Sequence, residues 1–369
     1  MRTPAVAGRP IKVTAFAGTG KTFTLTRYAE SRPQMPMLYV AYNKSIQLQA
    51  ERVMPRNVTS RTIHSLAYAK YGKKYKDKLG NMKIGNVMRY LEIRDYKFAM
   101  FVTRTLEGFI ASAAEEIGEE FVPKGSVKLF GKSADRVIVG LAQKAWAACK
   151  DVDELDLAMP HDGYLKLYQL SKPQLRTEVV LMDEAQDTTP CVWDIIMNQR
   201  APKIVVGDPH QGIYQFRGAR NAMDMIQPEP ERNLPLTQSF RFGPDLAQEA
   251  SLLLKNLKQE PRTLKGNSLL STRITVEDET FTRKGTLLLC RGNSMIFDEA
   301  YEAALDGSVG FIGGSAGYRL DLYLDGMELK LGNKSAIKNP LLRVFPSFND
   351  FADFADITED IELRAVVRA

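Results

Sequence analysis

Short apolar runs recur along this chain, each followed by a polar or glycine-rich turn and then by apolar residues at helical spacing. Ile11–Phe16, Met37–Ala41, Asn57–Ser60, Val179–Met182 and Lys203–Val206 read as strands. Helical patterns run through about Ser31, from about Ser45 to Val53, after Arg61–Ser65, from about Thr189 to Asn198, and from about Pro244 to Leu257. Such alternation predicts an α/β fold around an open parallel sheet. From Lys70 to about Ala158 the pattern is helical and amphipathic, with alanine-rich stretches such as Val137–Ala148. A connection this long is not a loop, so it reads as a helical insertion between strands. His161–Leu165 and Ser171–Pro173 lead the chain back to the sheet. Lys258–Ser268 is polar and holds Pro261 and Gly266, both helix breakers, which marks the main boundary. Beyond it Thr286–Cys290 and Val309–Ile312 read as strands, Asn293–Leu305 and Leu320–Met327 as helices, and Asp350–Asp356 as an acidic amphipathic surface helix.

Chemistry gathers at the predicted strand ends. Ala17-Gly18-Thr19-Gly20-Lys21-Thr22 lies between the first strand and its helix, the context of a phosphate loop. Gly18 and Gly20 let the backbone curl so that N–H groups face phosphate, and the helix N-terminus adds partial positive charge. Lys21 is placed to reach the β- and γ-phosphates and Thr22 to ligate magnesium. The usual first glycine of the pattern is Ala15 here. Asp183 and Glu184 close the run Val179–Met182, at the end of a strand where parallel sheets bind ligands. Asp183 is placed to hold magnesium, Glu184 to orient and polarise water. Lys203–Val206 ends in Gly207-Asp208-Pro209-His210-Gln211, which puts the Gln211 amide where it senses a γ-phosphate.

Other positions suit a polyanion. Tyr42, Asn43, Thr62 and His64 follow the second and third strands, where polar and aromatic groups fit contacts to a nucleic-acid backbone; a capping or core role is the alternative for His64. Tyr214, Phe216 and Arg217 follow the sensing turn and suggest base stacking, with core aromatics as the alternative. The segment Lys70–Arg104 carries ten Lys and Arg against Asp77, Glu92 and Asp95, with Tyr71, Tyr75, Tyr90 and Tyr96 interleaved. It is either a solvated helical face or a phosphate-tracking surface. A net charge of +6 permits a nucleic-acid partner without requiring one. Cys149, Cys191 and Cys290 are far apart in apolar surroundings, which suits small core residues in a reducing compartment rather than a disulfide or zinc framework. No apolar run approaches the roughly 20 residues that span a bilayer, and residues 1–10 are too weakly apolar for a signal peptide. An intracellular protein of cytoplasm or nucleus, with no membrane partner, is expected.

Seven ordered segments carry a family resemblance. They are Ala15–Thr22, Tyr42–Ser45, Thr62–Ser65, Asp183–Asp187, Gly207–Gln211, Tyr214–Ala219 and Gln238–Arg241. Together they resemble superfamily 1A DNA helicases of the UvrD/Rep class, and His161–Lys166 points within it to the F-box DNA helicase branch. The resemblance runs from about Ile11 to at least Asn293. It implies ATP with Mg2+ between two RecA-like domains and single-stranded DNA, or single/double-strand junctions, across their top. It implies Ala17–Thr22 on nucleotide, Thr22 and Asp183 on the metal, Glu184 as base, Lys21 and Gln211 on phosphate, and Arg241 as arginine finger. Phe240 falls at an adenine-stacking position usually held by tyrosine. Tyr42, Asn43, Thr62, His64, Tyr214, Phe216, Arg217 and Arg291 fall at DNA-contact positions, with Asn293 beside the last.

The implied organisation is a RecA-like domain in two parts, 1–72 and 161–257, around a DNA-facing helical insertion, 73–160, followed by a partial second RecA-like motor domain, 258–369. No glutamine precedes the phosphate loop, and the family's later Lys-Gly-Leu-Glu-like segment and second arginine finger are not found in these 369 residues. A truncated frame, a fragment or a reduced protein is therefore expected, with a partner chain or further segment completing the motor. Two function classes follow: a 3′-to-5′ DNA translocase and helicase in repair or recombination, or a nucleotide- and DNA-binding module without autonomous unwinding. A generic phosphate-loop kinase would leave Gln211–Arg217 unexplained.

Overall fold

A computed structural model describes residues 9–212, 223–272, 274, 287–290 and 292–369. The elements before the insertion are β1 (Ile11–Ala15), α1 (Lys21–Glu30), β2 (Met37–Ala41), α2 (Lys44–Val53), β3 (Val58–Thr62) and α3 (Ile63–Lys70). Helices α4 (Ile84–Tyr90), α5 (Tyr96–Ala111), α6 (Ser126–Phe130), α7 (Ala134–Lys150) and α8 (His161–Leu170) follow. The chain then returns through β4 (Val179–Met182), α9 (Pro190–Met197), β5 (Lys203–Gly207), β6 (Asn233–Leu236) and α10 (Pro244–Lys258). It continues in α11 (Asn293–Asp306), α12 (Leu320–Lys330), α13 (Pro340–Arg343), α14 (Phe348–Thr358) and α15 (Ile361–Arg368). Two compact units divide the chain, one drawn from 1–82, 107–116 and 147–275, the other from 83–106, 117–146 and 276–369.

The first unit is built on a six-stranded sheet of order β3-β2-β4-β5-β1-β6. Every neighbouring pair is parallel, so all six C-terminal strand ends share one edge. Strands β2, β4 and β5 are buried at every position. This is the near-continuous apolar run that a parallel strand covered by helices on both faces requires. The outer strands differ. β3 alternates between exposed and buried residues towards its end, and β6 keeps no fully buried position and holds Pro235. Proline cannot donate to a ladder and is tolerated at a sheet edge. The core beneath joins Ile11, Val13, Leu25, Tyr39, Leu181, Ile204 and Val206.

Of the three lysines buried in this unit among the described residues, Lys166 and Lys78 hold its helical scaffold. Lys166, fully buried, donates from Nζ to the carbonyls of Ser112 (3.1 Å) and Ala114, and its ammonium lies 4.4 Å from the Phe109 ring centre. Burial lowers its pKa. Lys78 donates to the carbonyls of Ala148 (3.0 Å), Asp151 (2.6 Å) and Glu154. Cations suit these sites because carbonyls converge at and just beyond the C-terminal ends of α5 and α7, where the helix dipole favours positive charge. Lys78 and Tyr75, the latter 1% exposed with its hydroxyl on the Lys150 carbonyl, are therefore internal. They belong neither to a solvated helical face nor to a phosphate-tracking surface, the two readings of 70–104.

The second unit is helical among its described residues. Phe101 is fully buried and meets the edges of Phe130 (5.2 Å between centres) and Phe354 (6.4 Å). Phe345 packs on Phe351 and Phe354, and Lys97 lies over Phe345. Ion pairs Arg104–Asp360 and Lys124–Glu359 tie the same segments together. Helix α14 buries Phe351, Phe354 and Ala355 and turns Asp350, Asp353 and Asp356 outward, the amphipathic surface helix that its sequence predicts. The strands expected at Thr286–Cys290 and Val309–Ile312 are not found among the described residues: 287–290 and 309–312 lie outside any strand, and Leu287 and Leu289 are exposed. An apolar run becomes a strand only where a neighbour supplies its hydrogen bonds, and among the described residues none does so here.

Candidate nucleotide and DNA site

The phosphate loop leaves β1 and enters α1 through Gly18 (φ 70°) and Gly20 (φ 81°), both left-handed. A Cβ on Gly18 would meet the Cβ of Arg241 at 2.6 Å and the Ser239 hydroxyl at 2.8 Å. Glycine is thus required twice there, by conformation and by close approach. The approaching segment is fixed by backbone hydrogen bonds from Phe16 N–H to the Leu236 carbonyl (3.1 Å) and from Phe240 N–H to the Gly18 carbonyl (2.9 Å). Phe240 and Arg241 therefore stand beside the loop, and the Phe240 ring is 63% exposed, open to a guest.

Across the loop, Lys21 Nζ contacts Glu184 Oε2 at 2.5 Å. The Thr22 hydroxyl donates to Asp183 Oδ2 (2.9 Å), as does the Tyr39 hydroxyl (2.8 Å). The Glu184 N–H donates to Asp183 Oδ1 (2.9 Å). Asp183 is 4% exposed, and burial, then the neighbouring Glu184 charge, raises its pKa. Burial, then the Asp183 charge, pushes the Tyr39 phenol far up. A buried carboxylate held at a cost in solvation, with a hydroxyl beside it, fits a hard divalent cation that keeps most of its waters. Thr22 and Asp183 thus fit Mg2+. Glu184 sits at φ 51°, left-handed for a residue with a side chain; such strain concentrates at functional positions.

The turn after β5 is held by Asp208. Its carboxylate accepts from His210 N–H (2.9 Å) and its carbonyl from Gln211 N–H (3.1 Å). His210 stacks on Phe16 (6.0 Å between centres) and pairs through Nε2 with Glu260 (2.8 Å). Arg262 grips Glu260 with two nitrogens (2.6 and 2.8 Å) and holds its pKa down at about 2.

A groove of about 350 Å³ runs along the ends of β2, β3 and β4. Tyr42, Asn43 and His64 line it, together with Asp162, Asp187, Thr188 and Thr189, and Asp183 forms part of its wall. Asn43 and Thr62 also cap helices, accepting from Ile46 N–H (2.9 Å) and Ser65 N–H (3.1 Å). His64 Nε2 pairs with Asp162 Oδ1 (2.7 Å). Tyr214, Phe216, Arg217 and Arg291 lie outside the described residues. The sequence had given no role to Tyr39, Gln186, Glu260 or Asp162. Gln186 stands inside the quoted Asp183–Asp187 segment, whereas Tyr39 reads as one more apolar position of a buried strand.

Residues 44–227 match the UvrD/REP helicase N-terminal domain. The chain is 38% identical over 319 residues to F-box DNA helicase 1 of Gallus gallus, covering 80% of this chain and 30% of that protein. It is 35% identical over 286 residues to F-box DNA helicase protein 1 of Schizosaccharomyces pombe, covering 70% and 32%. The chain belongs to the UvrD/Rep helicase family. It spans about a third of the length of these two relatives. A shorter match, 30% identical over 125 residues, joins it to ATP-dependent DNA helicase Rep of Salmonella typhimurium. The six-stranded parallel sheet with its many helices is consistent with a UvrD-type domain. Among the described residues no helix is long and apolar enough to cross a membrane.

Proposed function

We propose that the chain is an ATP-hydrolysing motor that translocates 3′-to-5′ on single-stranded DNA and acts at single/double-strand junctions in repair or recombination. The observation that carries this is the pairing of Lys21 with Glu184 and of Thr22 with Asp183 across one strand edge, beside the groove lined by Tyr42, Asn43 and His64. The loop N–H groups and the Lys21 ammonium take the nucleotide phosphates. Lys21 then exchanges Glu184 for phosphate, which frees a carboxylate oxygen to polarise the attacking water. Thr22 and Asp183 hold Mg2+, which supplies charge neutralisation on the phosphates when bound. Gln211 reports the γ-phosphate, Arg241 offers a cation to the transferring group, and Phe240 gives the base a face to stack on. The groove takes the DNA strand.

The test is ATP hydrolysis with and without single-stranded DNA, beside Lys21→Ala. Hydrolysis stimulated by DNA and lost in the variant supports the motor. Nucleotide and DNA binding with no turnover would overturn it and leave a binding module that needs a partner chain.

A further inference from the structure

Gln186 is 2% exposed and spends its whole amide on three neighbours. Nε2 donates to Glu184 Oε2 (2.8 Å) and to Asp187 Oδ2 (3.2 Å). Oε1 accepts from Asp208 N–H (3.0 Å). Each of the three belongs to a different part of the site. Glu184 is the carboxylate that Lys21 grips, at the same Oε2. Asp208 opens the turn that carries Gln211. Asp187 lines the groove with Tyr42 and His64. The fit is tight, because a Cβ on Gly207 would come within 2.7 Å of Gln186 Oε1.

We infer that Gln186 is a positioning residue that couples occupancy of the DNA groove to the aim of Glu184. The inference rests on the function proposed above. When Lys21 leaves Glu184 for phosphate, the Gln186 amide is the remaining described donor on Oε2, so it sets where that carboxylate points. The same NH2 group holds Asp187. A strand that engages the groove and shifts Asp187 must therefore rotate or translate the amide, and with it Glu184 and the Asp208 turn. A buried amide with every described polar atom committed cannot move one partner without disturbing the others. No proton or covalent bond changes hands at Gln186.

Two substitutions separate coupling from scaffolding. Gln186→Met keeps length and apolar volume and removes all three hydrogen bonds. Gln186→Glu keeps an acceptor for Asp208 N–H and loses both donors once ionised; because burial beside two carboxylates raises its pKa, it is assayed across about pH 7–9. The mutual effect of a fluorescent ATP analogue and oligo-dT on each other's affinity is measured in the full chain, together with kcat and KM for ATP with and without oligo-dT. Linkage between such sites commonly amounts to about 5- to 150-fold. The expected result is that both variants bind each ligand alone and that the mutual effect drops to within about twofold. In both, the DNA-stimulated kcat should fall at least about tenfold further than the unstimulated kcat, with little change in KM.

Loss in Gln186→Met with normal coupling in Gln186→Glu would overturn the inference, since only the tie to the Asp208 turn would then matter. Equal losses of stimulated and unstimulated kcat would overturn it in favour of a purely structural role. Wild-type protein that binds both ligands without mutual effect would also overturn it, whether or not it hydrolyses ATP. Failure of the wild type to bind oligo-dT at all is the separate result that removes the motor reading and this inference together.

Discussion

Buried polarity is used differently in the two units. At the strand ends of the sheet unit, Asp183, Gln186, Asp187 and Asp208 are all withdrawn from water, and each is held by hydrogen bonds to others of the same site. In the helical unit the buried groups at the centre are rings: Phe101, Phe345, Phe351 and Phe354. Its ion pairs lie nearer the surface, with Lys124–Glu359 well exposed. Desolvated polar groups weaken a fold unless each finds a partner, whereas desolvated rings stabilise it outright. The sheet unit therefore depends on its hydrogen-bond partners to offset desolvation at the site, whereas the helical unit, which also buries Asp325, has rings at its centre.

This contrast can be broken or sharpened by substitution. Lys21→Ala should reduce ATP hydrolysis by about a hundred- to thousandfold, as when one preorganised charge is removed from a transition state, while thermal unfolding changes little. Steady-state kinetics beside a melt separates the two. Phe101→Ala should do the opposite, costing about 3–5 kcal/mol of stability in chemical denaturation, with ATP-analogue affinity of the still-folded protein unchanged. If the aromatic substitution weakened nucleotide binding as strongly as it weakened the fold, the contrast would fail. Gly18→Ala combines a backbone penalty of about 1 kcal/mol with the collision against Arg241 and Ser239. It is expected to lower nucleotide affinity by at least about tenfold, measured by titration calorimetry.

The fourth prediction concerns acid. The Glu260 carboxyl falls from an ordinary 4.5 to about 2, first through its hydrogen bond to Arg262. A group whose folded pKa is depressed stabilises the fold fully above its unfolded value and loses that stabilisation as pH falls through the folded one. Melting temperature should therefore drop from about pH 5 towards pH 2, and Glu260→Gln should flatten that drop. An unchanged profile in the variant would show that the pair with Arg262 adds nothing. The smallest effect is expected for Tyr39→Phe, which removes one hydrogen bond from Asp183. A loss of about 1 kcal/mol should appear as a several-fold higher Mg2+ requirement in ATP-analogue binding.

Strands β1, β2, β4 and β5 were legible because each is an apolar run that ends in a chemical motif. The residues that follow them, Gly18–Thr22, Asp183–Glu184 and Asp208–Gln211, were legible for the same reason. Strand β6 was not, because Pro235 and its half-exposed positions resemble a loop until β1 is seen beside it. The leucines at 287–289 misled in the other direction. The contacts of Gln186 could not be read at all. Its partners lie on the ends of two strands, β4 and β5, whose adjacency is a property of the sheet order and not of chain distance.

The contact between Lys21 and Glu184 at 2.5 Å has a kinetic consequence. Each of these charges already has its counter-ion, so on the function proposed above the arrival of a nucleotide would be an ion exchange rather than a simple capture. The carboxylate competes with phosphate for one ammonium and weakens the hold on every phosphate ligand by the free energy of the internal pair. Spent nucleotide, with fewer negative oxygens to offer, is the weaker competitor. Re-formation of the pair would then favour its departure, and the proposed motor would reset the site without help from outside.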